Sequence, residues 1–276
     1  VAQEYQTGFH GGTWSPFHLL LLFDGHKMNL FRLLAQLVPV GTRLPILRGP
    51  LRGQWWIAGA AAGDGKGLSV VLNQSERSQL ELARSLLTPE SVCFDLGANV
   101  GIYTLLFGRY ARCVYAFEPV PRNLHYLYKM AAINRLSNVT IVPWAVGKGL
   151  ELTRFEMGAD CSVGHLGAAG NQPSVCASVD AFVERYGVEP DLMKVDVEGA
   201  EKDVLAGCRR LFASKRPMIL LSLHGVELRG LCLEMLRAAG YSYFRPIDAA
   251  DLDSAAEIFA ASQEPAPPPR LLRGCS

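Results

Sequence analysis

Val92-Cys93-Phe94-Asp95-Leu96-Gly97-Ala98-Asn99-Val100-Gly101 runs from an apolar stretch carrying one acid, through a turn bounded by two glycines, into the helical pattern that starts at Ile102. A strand that passes through a glycine turn into a helix is a common way to hold a nucleotide-like cofactor. Two cofactor classes compete for such a turn. A dinucleotide lays its pyrophosphate on the helix N-terminus and uses GxGxxG for close approach. Here the glycines are Gly97 and Gly101, with Asn99 where the middle glycine would stand, so that fingerprint fails. Asp95 would also oppose a pyrophosphate across partly buried space, since like charges repel strongly there. S-adenosyl-L-methionine has no phosphate and carries a sulfonium and an ammonium, which an acid attracts. Asp95, Gly97, Ala98, Asn99 and Gly101 are therefore read as cofactor-binding residues for this methyl donor.

The pattern on either side is a regular alternation of strands and helices. Strands are expected over 92–96, 113–117, 139–142, 192–195, 218–223, 241–245 and 256–260, with helices over 75–87, 102–110, 120–135, 179–186, 200–212 and 227–239. Such a series predicts an α/β, doubly wound and mainly parallel sheet with helices on both faces, binding its ligand at the carboxyl ends of the central strands. The second strand ends at Glu118, 23 positions after Asp95, a spacing that lets an acid accept hydrogen bonds from a ribose diol. Trp144 and Ala145 follow the third strand, where the adenine edge of the cofactor is expected.

Asp95-Leu96-Gly97-Ala98-Asn99-Val100-Gly101, Phe117-Glu118-Pro119, Trp144-Ala145-Val146-Gly147 and Lys194-Val195-Asp196-Val197-Glu198-Gly199-Ala200-Glu201, in this order, resemble the FkbM family of S-adenosylmethionine-dependent methyltransferases over about residues 65–243. The resemblance implies a class I methyltransferase (Rossmann-like) sheet whose last strand is antiparallel. It also implies methylation of an oxygen, often a hydroxyl of a sugar or secondary metabolite. The sequence departs from the family at Ser222, where glutamate is more usual.

In the fourth strand, alternation puts Lys194 and Asp196 on one side and Val195 and Val197 on the other. Asp196 falls at the carboxyl end, next to the expected methyl position, and is assigned to both cofactor and catalysis. Glu198 is a second catalytic candidate, whereas Glu201 reads as a helix-start acid or a salt-bridge partner of Lys194 or Lys202. His224 ends the next strand and is a candidate base for a hydroxyl proton, with a purely structural histidine as the alternative. A divalent metal on Asp196, Glu198 and His224 is possible, but no ligand spacing requires one.

Composition narrows the partners. The 276 residues hold 27 Lys and Arg against 26 Asp and Glu, without the clustered basic excess of a nucleic-acid binder. Seven cysteines without a CxxC pair read as reduced and cytoplasmic. The apolar run at His18–Phe23 is too short to span a bilayer and reads as part of an amphipathic helix over 17–37. The expected organisation is an N-terminal helix with short strands over 1–90, a donor-binding domain over 91–262 and a disordered proline-rich tail over 263–276. Short strands are expected at 45–47, 54–58 and 68–72. The irregular stretch 151–174, centred on Asp160-Cys161-Ser162, and the Trp55-Trp56 region are expected to shape a pocket for a small hydroxyl-bearing acceptor. The rival readings are an NAD(P)-dependent oxidoreductase of related fold and a catalytically silent binding protein that keeps the fold.

Overall fold

The computed structural model describes residues 37–61, 67–157, 164–166, 170 and 172–265. The helix expected over 17–37, apart from its last residue, and Asp160-Cys161-Ser162 lie outside the described residues, as does the tail beyond residue 265. A short antiparallel pair, β1 (Arg43–Pro45) and β2 (Trp55–Ile57), comes first, followed by α1 (Leu68–Val71) and α2 (Arg77–Leu86). The alternating part then runs β3 (Val92–Leu96), α3 (Ile102–Tyr110), β4 (Cys113–Phe117), α4 (Pro121–Ile133) and β5 (Val139–Val142). Next come β6 (Ala145–Val146), β7 (Glu151–Met157), β8 (Gly164–Leu166), β9 (Gln172–Ala177), α5 (Val179–Tyr186) and β10 (Leu192–Val195). The chain continues through α6 (Glu201–Ala206), α7 (Arg209–Ser214), β11 (Met218–Ser222), α8 (Val226–Ala238), β12 (Tyr243–Pro246) and β13 (Glu257–Ala261).

Seven of these strands form one sheet in the order β12-β13-β11-β10-β3-β4-β5. The pairs from β11 to β5 are parallel, and β13, the last strand, runs antiparallel to both β11 and β12. This is the expected class I methyltransferase sheet. β3 is buried along its whole length, as a central parallel strand must be. On one face Phe94, Leu96, Met193, Val195, Ile219 and Leu221 form a continuous apolar layer. Phe94, Phe117 and Phe182 lock it with ring contacts of 4.9–5.6 Å. On the other face Cys93, Leu192, Leu220 and Phe259 pack against α3 and against Ile46, Leu51 and Trp56 from the N-terminal segment.

Local signals explain some element ends. Ser178 caps α5 by accepting a hydrogen bond from the Ala181 amide at 3.2 Å, and Gly187 closes that helix in the left-handed conformation. Pro121 opens α4, where its missing N–H costs nothing. Three expectations are corrected. Residues 68–71 form a helical turn rather than a strand, because Val70 and Val71 both turn onto the core; a short apolar run does not distinguish the two by periodicity. The stretch 151–174 is not irregular throughout, since β7, β8 and β9 join β6 in a second, four-stranded sheet. The helix expected over 200–212 is broken at Gly207 and Cys208 into α6 and α7.

Candidate functional site

At the carboxyl edge of the sheet, a cavity of about 290 Å³ opens between the turn after β3 and the end of β10. Gly97 has φ +82°, and a Cβ there would lie 1.8 Å from the Asp196 carbonyl oxygen, so only glycine lets the two central strands close at this height. The turn is built from its own amides. Gly97 and Ala98 N–H both donate to the Phe117 carbonyl at 3.0 and 2.9 Å, and Gly101 N–H donates to Ala98 at 2.9 Å. Asn99, at φ +51°, donates its N–H to Glu118 Oε2 at 2.8 Å. The amides of Gly97, Ala98, Asn99 and Gly101 are thus engaged within the protein.

Glu118 is buried, and its Oε1 also accepts from the Val120 amide at 2.8 Å and from Asn123 Nδ2 at 3.3 Å. Burial raises its pKa and these hydrogen bonds oppose the rise. A carboxylate offers about four acceptor positions, so one stays open toward the cavity for a hydroxyl. Trp144, packed edge-on to Phe182 at 6.3 Å, and Ala145 line the same cavity. Of the two regions expected to shape a pocket, the Trp55-Trp56 region contributes Trp56 to the wall.

The floor is a buried polar row. Asp95 and Lys194 sit side by side in the register of β3 and β10, 2% and 1% exposed. Thr104 Oγ1 donates to Asp95 Oδ2 at 2.5 Å. Lys194 Nζ donates to Ser222 Oγ, pairs with Asp196 Oδ2 at 3.3 Å and lies 5.0 Å from the centre of the Tyr103 ring. Burial lifts the Asp95 carboxyl to about 7, with Thr104 and then Lys194 pulling it back. Desolvation favours a neutral Lys194, yet Asp196, Glu257 and Glu76 together raise its pKa and keep it an ammonium. Glu76, at φ +51° ahead of α2, also lines the cavity, and burial raises its pKa.

Beside this row, β10 and β11 bring three expected residues together. His224 Nε2 lies 3.3 Å from Glu198 Oε2 and 3.8 Å from Asp196 Oδ1. On the far side of the ring, Nδ1 lies 2.8 Å from Glu201 Oε1, which also accepts the Gly199 amide at 3.1 Å. The hydrogen bond to Glu201 leads the upward shift of the His224 pKa, and Glu201, Glu198 and Asp196 add to it electrostatically. Burial raises that of Glu198.

The structure thus gathers Asp95, Gly97, Ala98, Asn99, Gly101, Glu118, Trp144, Ala145, Asp196 and Glu198 around one cavity, with His224 against its two acids. Sequence reasoning missed Glu201, which bonds to His224 and to neither lysine. Its signal was legible: Glu201, Val204 and Leu205 share one buried helical face, an unusual place for an acid. Glu76 and Thr104 were also missed, and nothing in their local pattern marks them.

A family model described as the methyltransferase FkbM domain matches residues 95–243, more than half of the chain. Comparison with curated proteins gave no match. Among solved structures, similarity extends to a methyltransferase FkbM from Methylobacillus flagellatus KT, with 19% identity over 74% of this chain and 56% of that one, at a TM-score of 0.46. The chain therefore spans little more than half the length of that relative. It also resembles a precorrin-6y C5,15-methyltransferase from Geobacter metallireducens GS-15, with 14% identity over 69% of this chain and 90% of that one, at a TM-score of 0.44. A third is TYW2 from M. jannaschii in complex with AdoMet, with 16% identity over 76% of this chain and 81% of that one, at a TM-score of 0.43. The family match and the strand order agree: the chain belongs to the FkbM family of S-adenosylmethionine-dependent methyltransferases.

Proposed function

We propose that this protein methylates a hydroxyl oxygen of a small molecule, such as a sugar or a polyketide-like secondary metabolite. The observation that carries the reading is the position of Asp196 and Glu198, with His224 against them, on the same cavity as the glycine turn and Glu118. The cavity's residues suit the donor: carboxylates attract its cationic groups, and the turn and Glu118 suit its amino-acid part and ribose. When bound, S-adenosylmethionine supplies a methyl group activated by its positive sulfur.

The chain's own residues have three tasks. The buried row under the cavity keeps Asp95 and Asp196 in place through Thr104 and Lys194. Walls such as Trp56, Tyr103 and Phe117 exclude water and hold the acceptor in line, where alignment supplies much of the acceleration. The Asp196–Glu198–His224 cluster receives the hydroxyl proton. An alcohol must lose that proton for its oxygen to gain a methyl group, so a proton-accepting cluster at this point favours an oxygen acceptor. The cavity is sized for a small molecule, and the near-neutral charge supports no nucleic-acid partner. Among the described residues no helix is long and apolar enough to cross a membrane. Cys93, Cys113, Cys176, Cys208 and Cys232 are free thiols, which supports a reducing, cytoplasmic setting.

The test is to incubate the purified chain with isotopically labelled S-adenosylmethionine and an extract of its host, then locate the label by mass spectrometry and NMR. Label on an ether oxygen of a small molecule is the expected result. Label on nitrogen or carbon overturns the oxygen assignment. No label at all, with S-adenosylhomocysteine still bound in calorimetry, returns the chain to a silent binding protein.

A further inference from the structure

We infer that Asp196, Glu198 and His224 form a binding site for one divalent first-row cation, Mn²⁺ being the best match, on the wall of the donor cavity. One ligand atom from each of the three lies within 4.8 Å of the others. Separations of 3.3 and 3.8 Å from His224 Nε2 to the two carboxylates are those of atoms that share an ion at roughly 2.1 Å. The three come from the ends of two adjacent parallel strands and the turn between β10 and α6, so the sheet itself sets their spacing.

The second observation is Glu201. It is wholly buried, and one of its oxygens faces His224 Nδ1 while Oε2 makes no hydrogen bond among the described residues. A carboxylate on the far nitrogen holds a proton at Nδ1, so that a cation displacing any proton from Nε2 meets a ring nitrogen 3.3 Å from Glu198 and 3.8 Å from Asp196. This is the outer-shell arrangement that orients a metal-binding histidine. Charge supports it. Glu76, Asp95, Asp196, Glu198, Glu201 and Glu257 surround this floor, and Lys194 is the lysine that pairs with Asp196 within it. One imidazole with two carboxylates suits Mn²⁺ better than Ca²⁺ or Mg²⁺, which prefer oxygen alone.

Three protein ligands leave positions open toward the cavity for the acceptor oxygen; a hydroxyl bound to a cation releases its proton more readily, and with the three side chains occupied as ligands that proton passes to solvent water instead of to the cluster. This role rests on the oxygen-methylation reading; the cation site itself does not.

The experiment titrates Mn²⁺ into the full chain after chelator treatment. Loss of the free-ion EPR signal reports binding, and S-adenosylhomocysteine calorimetry on the same samples reports the donor site. Saturation at one Mn²⁺ per chain is expected, with at least a hundredfold loss in Asp196→Asn and His224→Gln. Glu201→Gln should weaken binding by roughly ten- to hundredfold, the usual cost of losing an outer-shell partner, and Glu184→Gln, at an exposed acid paired with Arg210 away from the cavity, should leave it unchanged. Circular dichroism confirms that each variant is folded. Absence of saturable binding, or binding indifferent to His224→Gln, overturns the site even where S-adenosylhomocysteine binds normally. Saturable Mn²⁺ binding without S-adenosylhomocysteine binding supports the cation site and sinks the methyl-transfer reading instead.

Discussion

The two faces of the central sheet solve different problems with neighbouring residues of the same strands. Phe94, Leu96, Met193 and Val195 turn to a face that is apolar throughout, while Asp95 and Lys194, interleaved with them, turn to the other and are just as buried. Each apolar side chain gains about 1.5–3 kcal/mol by leaving water. Each buried charge loses its hydration and is held by partners that only partly repay the loss. The first face therefore serves packing alone, whereas the second combines its own apolar core with groups kept where a ligand can use them. Substitutions on the two faces should separate stability from binding.

The largest effect is expected where the two functions meet, at Gly97→Ala. The new methyl would drive into the Asp196 carbonyl from a left-handed backbone, combining overpacking with conformational strain. The expected outcome is a loss of about 3–5 kcal/mol together with loss of S-adenosylhomocysteine binding, read by urea melts and calorimetry. Phe94→Ala comes next. It removes a ring packed on Phe117 and Phe182 and should cost about 4 kcal/mol. Donor affinity of the folded fraction should stay within twofold. A large loss of affinity here would show that the faces are not separable.

The same division explains what the sequence revealed. The strand-helix alternation, the five-residue apolar run of β3 and the prolines after Glu118 were legible because backbone rules and burial act locally. The glycine turn was legible too, although part of the constraint on Gly97 comes from Asp196, about a hundred positions away. Strand 68–72 was misread because the core, not the local β-propensity, decides how Val70 and Val71 turn. At the site, strand ends could be read and partners could not. Glu201 was read as a helix-start acid or a salt-bridge partner because nothing local says that His224, 23 positions later, lies against it.

A third expected effect, smaller than that of Phe94→Ala, concerns the cation that the polar face holds. Lys194→Met keeps much of the volume and leaves Asp196, Glu76 and Asp95 without their ammonium. We expect a cost of about 3 kcal/mol at pH 8, the low end for breaking a buried pair, since carboxyl groups can relieve it by taking up protons. For the same reason the cost should shrink toward pH 5. Equal cost at both pH values would mean that Lys194 acts through packing alone. An unchanged melt at pH 8 would mean that the row is hydrated and not buried.

The smallest expected effect isolates Asp95. Its carboxyl sits at about 7 in the folded chain, against about 3.9 when unfolded. Between those values the folded state holds a proton that the unfolded state has released. Its contribution to stability is therefore complete below about pH 4 and falls away as pH rises through 7. Asp95→Asn removes that titration, so its thermal midpoint should decline less than the wild type's between pH 5 and 8, by a few degrees. Donor binding should respond in the opposite sense. The ionised carboxylate attracts a cationic ligand, so wild-type affinity for S-adenosylmethionine, with its sulfonium and ammonium, should rise with pH through 7, by at most about tenfold per unit, the limit for one proton. The Asn variant should bind weakly with little dependence across this window. If its midpoint and affinity both track the wild type, the acid beneath the glycine turn is not what draws the donor, and the contrast between the two faces loses its functional half.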